Sequence, residues 1–262
     1  MLTSRLVVCL DVLGGRVVKG TQFESLREVG NPAELAARYE AEGADEIVFL
    51  DIGAGPEERA TLLALAEETA SRLFIPLTIG GGIRSVADIQ AALRAGADKV
   101  AINSAALATP ALLTAGADRY GAQCVVASID ARRDVSGWKV WTGGGRTPTG
   151  LDAVQWAVEC ARLGAGEIVL TSIDRDGSRN GYDLELTRAV ASAVDIPVIA
   201  SGGAGSAADV AEVLRDTGAD AALVAGILHD RVVAVGQIKD AMTGAGLPVR
   251  TSEAAPAQDL PC

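Results

Sequence analysis

Eight short apolar runs recur along the chain, and a helix-patterned run follows each one. The apolar runs are LVVCLD (6–11), EIVFLD (46–51), IPLTIG (75–80), KVAIN (99–103), CVVASID (124–130), EIVLTSI (167–173), IPVIAS (196–201) and AALVAG (221–226). Helical patterning falls at 32–42, 58–72, 86–95, 110–119, 152–163, 184–193, 207–217 and 231–243. Near-continuous apolar runs suit parallel strands covered on both faces. Eight βα units in 262 residues predict one α/β domain over 1–250, a closed (β/α)8 TIM barrel. An open doubly wound sheet is the competitor, but it does not predict the internal repeat.

That repeat is long. PLTIGGGIRSVADIQAALRAGADKVAIN (76–103) returns as PVIASGGAGSAADVAEVLRDTGADAALVA (197–225), with Gly82 against Gly203 and Asp88 against Asp209. GADEIVFLDI (43–52) returns as GAGEIVLTSI (164–173), and VCLD (8–11) as ASID (127–130). The barrel therefore reads as two homologous half-barrels, about 1–120 and 121–250. Two long loops interrupt the pattern. Residues 14–31 and 132–150 each hold a predicted hairpin, at 16–19 and from Trp138 to Trp141. Loops of this length in a compact domain are usually functional. The stretch 251–262 has no periodicity and is expected to be a disordered tail.

Composition narrows the function classes. Hydrophobic residues are 49% and aromatics only 3%, so the core must be built from Ala, Val, Leu and Ile. A net charge of -11 argues against nucleic-acid partners, which need clustered Lys and Arg. No apolar run reaches the roughly 20 residues of a membrane helix. The N-terminal run reads as a strand and not as a signal peptide. Cys9, Cys124, Cys160 and Cys262 form no C-x-x-C, and His229 is the single histidine. The expectation is reduced cysteines in a cytoplasmic protein with no metal and no cofactor. His229 reads as structural.

The chemistry gathers at the C-terminal ends of the strands, where barrels of this kind carry their sites. Gly81 and Gly82 follow the third strand, and Gly202 and Gly203 follow the seventh. Such pairs expose backbone N–H groups that can cradle a phosphate. Their neighbours on the next strands are Asn103 and Ser104 in one half, Ala225 and Gly226 in the other. Asp176 and Gly177, after the sixth strand, lie beside the second loop. Two such loops on opposite sides imply a bisphosphorylated ligand spanning the mouth. Asp11 and Asp130 end the first and fifth strands, halfway between the loops. Burial there raises a carboxyl pKa toward the acid/base range.

The segments CLDVLGGRVVKG, DEIVFLDI, GGGIRSVAD, GADKVAINSAA, LTSIDRDGSRNGYD and ASGGAG closely resemble the cyclase subunit of imidazole glycerol phosphate synthase, a lyase of histidine biosynthesis. The resemblance covers about 1–250. It implies the substrate PRFAR, an aminoimidazole carboxamide ribotide joined by a formimino bridge to phosphoribulose. Ammonia attacks the ribulosyl carbonyl, and ring closure yields imidazole glycerol phosphate and AICAR. The resemblance makes Asp11 and Asp130 the catalytic pair. It adds Lys19, Thr171, Ser172 and Ser201 to the mouth. Gly53 and Gly144 stand where hydroxyl residues are expected in some relatives.

It also implies a glutaminase subunit docking at the N-terminal barrel face and passing ammonia through the barrel. Arg5, Glu46, Lys99 and Glu167, all at strand starts, match the family's charged ring, an ammonia gate. Arg5, Lys99 and Glu167 share inward parity with Asp11, Asn103 and Thr171. Glu46 shares parity with Leu50 and not with Asp51, so one of those acids needs another explanation. Asp98 on this face is a candidate partner contact. The alternatives are the sister Amadori aldose–ketose isomerase of the same pathway, which needs no partner, and a non-catalytic phosphate-binding barrel. The motifs CLDV, VVKG and TSIDRDGS favour the cyclase over the isomerase.

Overall fold

The computed structural model describes residues 3–21, 24–53 and 56–250. The eight barrel strands are β1 (Arg5–Leu13), β2 (Glu46–Asp51), β3 (Leu77–Gly80), β4 (Lys99–Ile102), β5 (Val125–Asp134), β6 (Glu167–Ser172), β7 (Val198–Ser201) and β8 (Ala221–Val224). Each pairs in parallel with the next, β8 pairs with β1, and β5 with β6, so the sheet closes with no free edge among these strands. The principal helices are α1 (Pro32–Ala41), α2 (Pro56–Ala70), α3 (Val86–Arg94), α4 (Ala111–Tyr120), α5 (Ala153–Arg162), α6 (Leu184–Ala191), α7 (Ala207–Thr217) and α8 (Val235–Gly244). The expected closed (β/α)8 barrel is the observed one.

Strand parity divides the core in two. Leu6, Val8, Leu10, Ile47, Phe49, Ile79, Ile102 and Ile129 point outward and pack beneath the helices. Val7, Cys9, Val48, Ala101, Val126, Val169, Ile199 and Leu223 point inward and fill the barrel. The interior takes small and branched side chains, which explains why so aromatic-poor a chain can close it. Each fully buried Leu, Ile or Val contributes roughly 1.5–3 kcal/mol.

Local chemistry sets the helix starts. Ser85 and Ser206 cap α3 and α7 by accepting from the N–H groups of Asp88 and Asp209. Asp209 reaches back to the Ser206 N–H at 2.8 Å, a reciprocal cap. Asp45, Asp98 and Asp220 precede strands and accept from the N–H groups of Leu6, Leu77 and Val198 at 2.7, 2.9 and 3.0 Å. Asp98 thus ties β4 to β3.

Both expected hairpins form. β1 continues past Asp11 and pairs with Arg16–Thr21, which pairs with Glu24–Gly30. β5 continues past Asp130 and pairs with Gly137–Thr142, which pairs with Thr147–Asp152. Two short helices that periodicity does not reveal, Ser104–Ala108 and Gly226–His229, follow β4 and β8. The second accounts for a misplaced helix start. The run expected from 231 begins at Val235, because Arg231 has a φ of 54° just after the short helix. The expectation for 251–262 lies outside the described residues.

Candidate active site

Asp11 and Asp130 face the barrel interior at the mouth, on strands four apart in a ring of eight. Burial raises each carboxyl to about 6, and the charge of Asp176 pushes both the same way. Burial raises Asp176 as well, against the opposing pull of the Gly177 N–H. A charge on Asp176 therefore disfavours ionisation of both Asp11 and Asp130. Asn103 Nδ2 donates to Asp130 Oδ2 at 2.9 Å. The Cys9 thiol lies 3.7 Å from Asp11 Oδ1. Burial first, then the Asp11 charge, keeps that thiol protonated.

The two glycine loops require residues without a Cβ. Gly81 and Gly203 have φ values of 86° and 108°. A Cβ on Gly81 would come 2.2 Å from the Asp51 carbonyl oxygen, and one on Gly203 would come 2.2 Å from that of Gly181. Gly202 and Gly203 pack against the loop after β6, and the Gly181 N–H donates to the Gly203 carbonyl at 2.9 Å. Gly82 and Gly177 also adopt left-handed φ values, 64° and 71°. Near the first loop, Ser104 Oγ accepts from Thr142 Oγ1 at 2.7 Å and from the Gly143 N–H at 3.3 Å. This ties the second hairpin to the first half of the mouth. Ala225 and Gly226 lead into the short helix after β8.

Thr171 and Ser201 are register partners on β6 and β7, at the mouth. Ser172 is different. It has the opposite parity, is 2% exposed, and its Oγ donates to Asp183 Oδ2 at 3.3 Å. It belongs behind the barrel wall and not to the mouth. Gly53 accounts for Asp51: its N–H donates to Asp51 Oδ1 at 2.8 Å. Gly144 lies in a turn where Gly143, Gly144 and Gly145 all have positive φ, so a serine there would be strained.

His229 is structural. Its Nε2 meets the Cys9 carbonyl at 3.1 Å and its Nδ1 meets the Tyr39 hydroxyl at 2.8 Å. Burial lowers its pKa to about 4, which keeps it neutral. An Nε2–H donor and an Nδ1 acceptor satisfy both contacts.

At the opposite end of the barrel the four strand-start charges form a closed ring. Arg5 pairs with Glu46 at 2.5 Å and Glu167 at 2.6 Å. Lys99 pairs with Glu46 at 3.0 Å and Glu167 at 2.8 Å. Glu46 therefore points inward, and Asp51 is the acid with the separate explanation. The ring leaves none of its four charges unpaired.

Sequence reasoning missed a second charged cluster, at the rim. Asp230 forms ion pairs with Lys19, Arg27 and Arg179. Lys19 Nζ also donates to the Gly226 carbonyl at 3.3 Å. Its members are single charged residues from the first long loop, the loop after β6 and the end of the short helix after β8, and such residues are usually solvated.

No group of three or more His, Cys, Asp or Glu that could hold a metal occurs among the described residues. No described helix is long and apolar enough to cross a membrane.

A family model described as histidine biosynthesis protein matches residues 5–234. The chain is 69% identical over 251 residues to imidazole glycerol phosphate synthase subunit HisF of Myxococcus xanthus (strain DK1622), covering 96% of this chain and 99% of the relative. It is 55% identical over 250 residues to the protein of that name from Dehalococcoides mccartyi (strain ATCC BAA-2266 / KCTC 15142 / 195), with 95% and 99% covered.

Proposed function

We propose, from the premise that this chain belongs to the HisF family of imidazole glycerol phosphate synthase cyclase subunits, that Asp11 and Asp130 divide the acid/base work of PRFAR cyclisation. The observation that carries this reading is the pair of interior carboxyls raised to about 6 at the ends of opposite strands. Ammonia addition to the ribulosyl carbonyl, with loss of its oxygen as water to give the imine, needs protons delivered to oxygen and removed from nitrogen. Ring closure needs a proton delivered to the departing AICAR nitrogen. A carboxyl titrating near 6 can donate and accept within one turnover near neutral pH.

The two phosphates of the substrate are assigned to the two glycine loops. One takes Gly81, Gly82, Asn103 and Ser104. The other takes Gly177, Gly202, Gly203, Ala225 and Gly226, with Lys19 above it. Thr171, Asp176 and Ser201 line the space between. Each proposed half-barrel, 1–120 and 121–250, then supplies one phosphate loop and one aspartate.

The relatives are each named as a subunit of the synthase. We assign the complementary role to a glutaminase subunit docking at the N-terminal face. Arg5, Glu46, Lys99 and Glu167 form the gate through which its ammonia enters, and the complex is placed in the cytoplasm. The test is to supply the isolated chain with PRFAR and ammonium salt at alkaline pH and follow substrate absorbance. Turnover supports cyclisation. No turnover, or enzymatic turnover of the sister isomerase's aldose substrate, overturns it. Glutamine should replace ammonium only when the glutaminase subunit is added.

A further inference from the structure

The rim cluster gathers four charged side chains from separate segments beside the second glycine loop. Asp230 follows the short helix after β8. Its Oδ2 accepts from Lys19 Nζ and Arg179 Nη2, and its Oδ1 from Arg27 Nη2. Three cations thus surround one carboxylate, so the cluster carries an excess of two positive charges. Burial acts in the opposite direction, but Lys19 and Arg179 hold Asp230 below the usual carboxylate range, which keeps it ionised.

The backbone joins this cluster to the loop. A Cβ on Gly205 would come 2.1 Å from the Arg179 carbonyl oxygen, so the two chain segments are in direct contact. Arg179 itself has a φ of 58°, an uncommon value for a residue that is not glycine. A Cβ placed on Gly226 would be 3.2 Å from Lys19 Nζ and 4.0 Å from Arg179 Nη2. Both cationic heads therefore stand over the backbone at Gly226, and Arg179 sits on a loop packed against Gly203 and Gly205.

We propose that Arg179 is a further recognition residue for the substrate phosphate at this loop, and that Asp230 is its resting counter-ion. Asp230 holds Lys19, Arg27 and Arg179 over the loop until a phosphate dianion takes them over. The exchange is favourable in charge: a carboxylate neutralises one of three cations, and a dianion neutralises two. A guanidinium also matches phosphate oxygens as a two-pronged donor, which Lys19 cannot do. The assignment rests on the functional reading above and extends it to a residue that reading does not use.

The two partners have opposite predicted effects. Arg179→Ala removes a ligand for the phosphate. Asp230→Asn removes the phosphate's competitor. Two readouts apply to the full chain: calorimetric binding of inorganic phosphate, and KM and kcat for PRFAR with ammonium. Arg179→Ala is expected to raise KM and weaken phosphate binding by about tenfold, with kcat changing far less. Arg179→Lys should recover part of that loss. Asp230→Asn should tighten phosphate binding by about threefold and lower KM. Unchanged KM and phosphate affinity in Arg179→Ala would overturn the proposal. So would weaker phosphate binding in Asp230→Asn, since a merely structural pair loses function from either side. A wild-type chain that binds phosphate but does not turn over PRFAR would instead sink the functional reading, and phosphate calorimetry on the variants would still decide the role of the cluster.

Discussion

Asn103 donates a 2.9 Å hydrogen bond to Asp130, and among the described residues no amide side chain does the same for Asp11. The repeat counterpart of Asn103 is Ala225, which carries no donor, and the weak Cys9 thiol stands at 3.7 Å instead. The halves of the barrel are therefore chemically unequal at their equivalent aspartates. The Asn103 bond favours the ionised form of Asp130. Asn103→Ala should move the Asp130 pKa upward. The acidic limb of the PRFAR rate profile, corrected for free ammonia, should shift toward higher pH. An unmoved limb would remove Asp130 from that titration.

Burying these carboxyls costs stability. Their folded pKa values lie above the ordinary one, so the folded state takes up protons first as pH falls. The penalty is complete above about 6 and is relieved as pH falls toward the unfolded value near 4. A two-unit shift corresponds to roughly 3 kcal/mol at most. Asp11→Asn and Asp130→Asn should each raise Tm by several degrees at pH 8. The gain should shrink near pH 4. Thermal denaturation across that range checks both signs.

Glycine substitutions separate backbone conflicts from side-chain ones. Gly203→Ala would set a Cβ 2.2 Å from a carbonyl oxygen in a left-handed residue, so two loops must part. It should cost about 2 kcal/mol or more and raise KM. Gly226→Ala meets only flexible side-chain ends, Lys19 at 3.2 Å and Arg179 at 4.0 Å. Its stability should stay within about 0.5 kcal/mol of wild type. Chemical denaturation of the two variants tests the contrast.

The charged ring predicts a third energetic effect. Lys99→Met leaves Glu46 and Glu167 with Arg5 alone. Removing one partner from a mostly buried network typically costs about 3 kcal/mol. Lys99→Arg should recover much of it. Equal stability of Lys99→Met and wild type would mean the ring is solvated.

Much of this arrangement could be read from the residues because a parallel barrel imposes strict local demands. Its strands are apolar on both faces, and inward parity follows from period two, so the sequence pattern alone places Asp11, Asn103 and Thr171 on the inner face. Glu46 and Asp51 have opposite parity on one strand, so pattern alone leaves open which of the two acids faces inward; the ion pairs of Glu46 with Arg5 and Lys99 decide it. Both ends of that strand turn out to carry charge for different reasons. Ser172 is one residue beyond the inward-facing Thr171, and a step of one residue turns its side chain through the wall toward Asp183. The Asp230 cluster leaves no trace in the sequence because it joins positions 51, 203 and 211 residues apart, and single charges in loops carry no periodicity. The short helices after β4 and β8 span too few residues to show any.

The central claim is that two buried strand-end carboxyls carry the chemistry, and ammonia-dependent cyclisation of PRFAR by Asp11→Asn and Asp130→Asn tests it most directly. Both variants should keep substrate affinity within a few-fold while kcat falls by about two to four orders of magnitude. Near wild-type kcat in either variant, under saturating PRFAR and ammonium, would contradict the assignment of that aspartate.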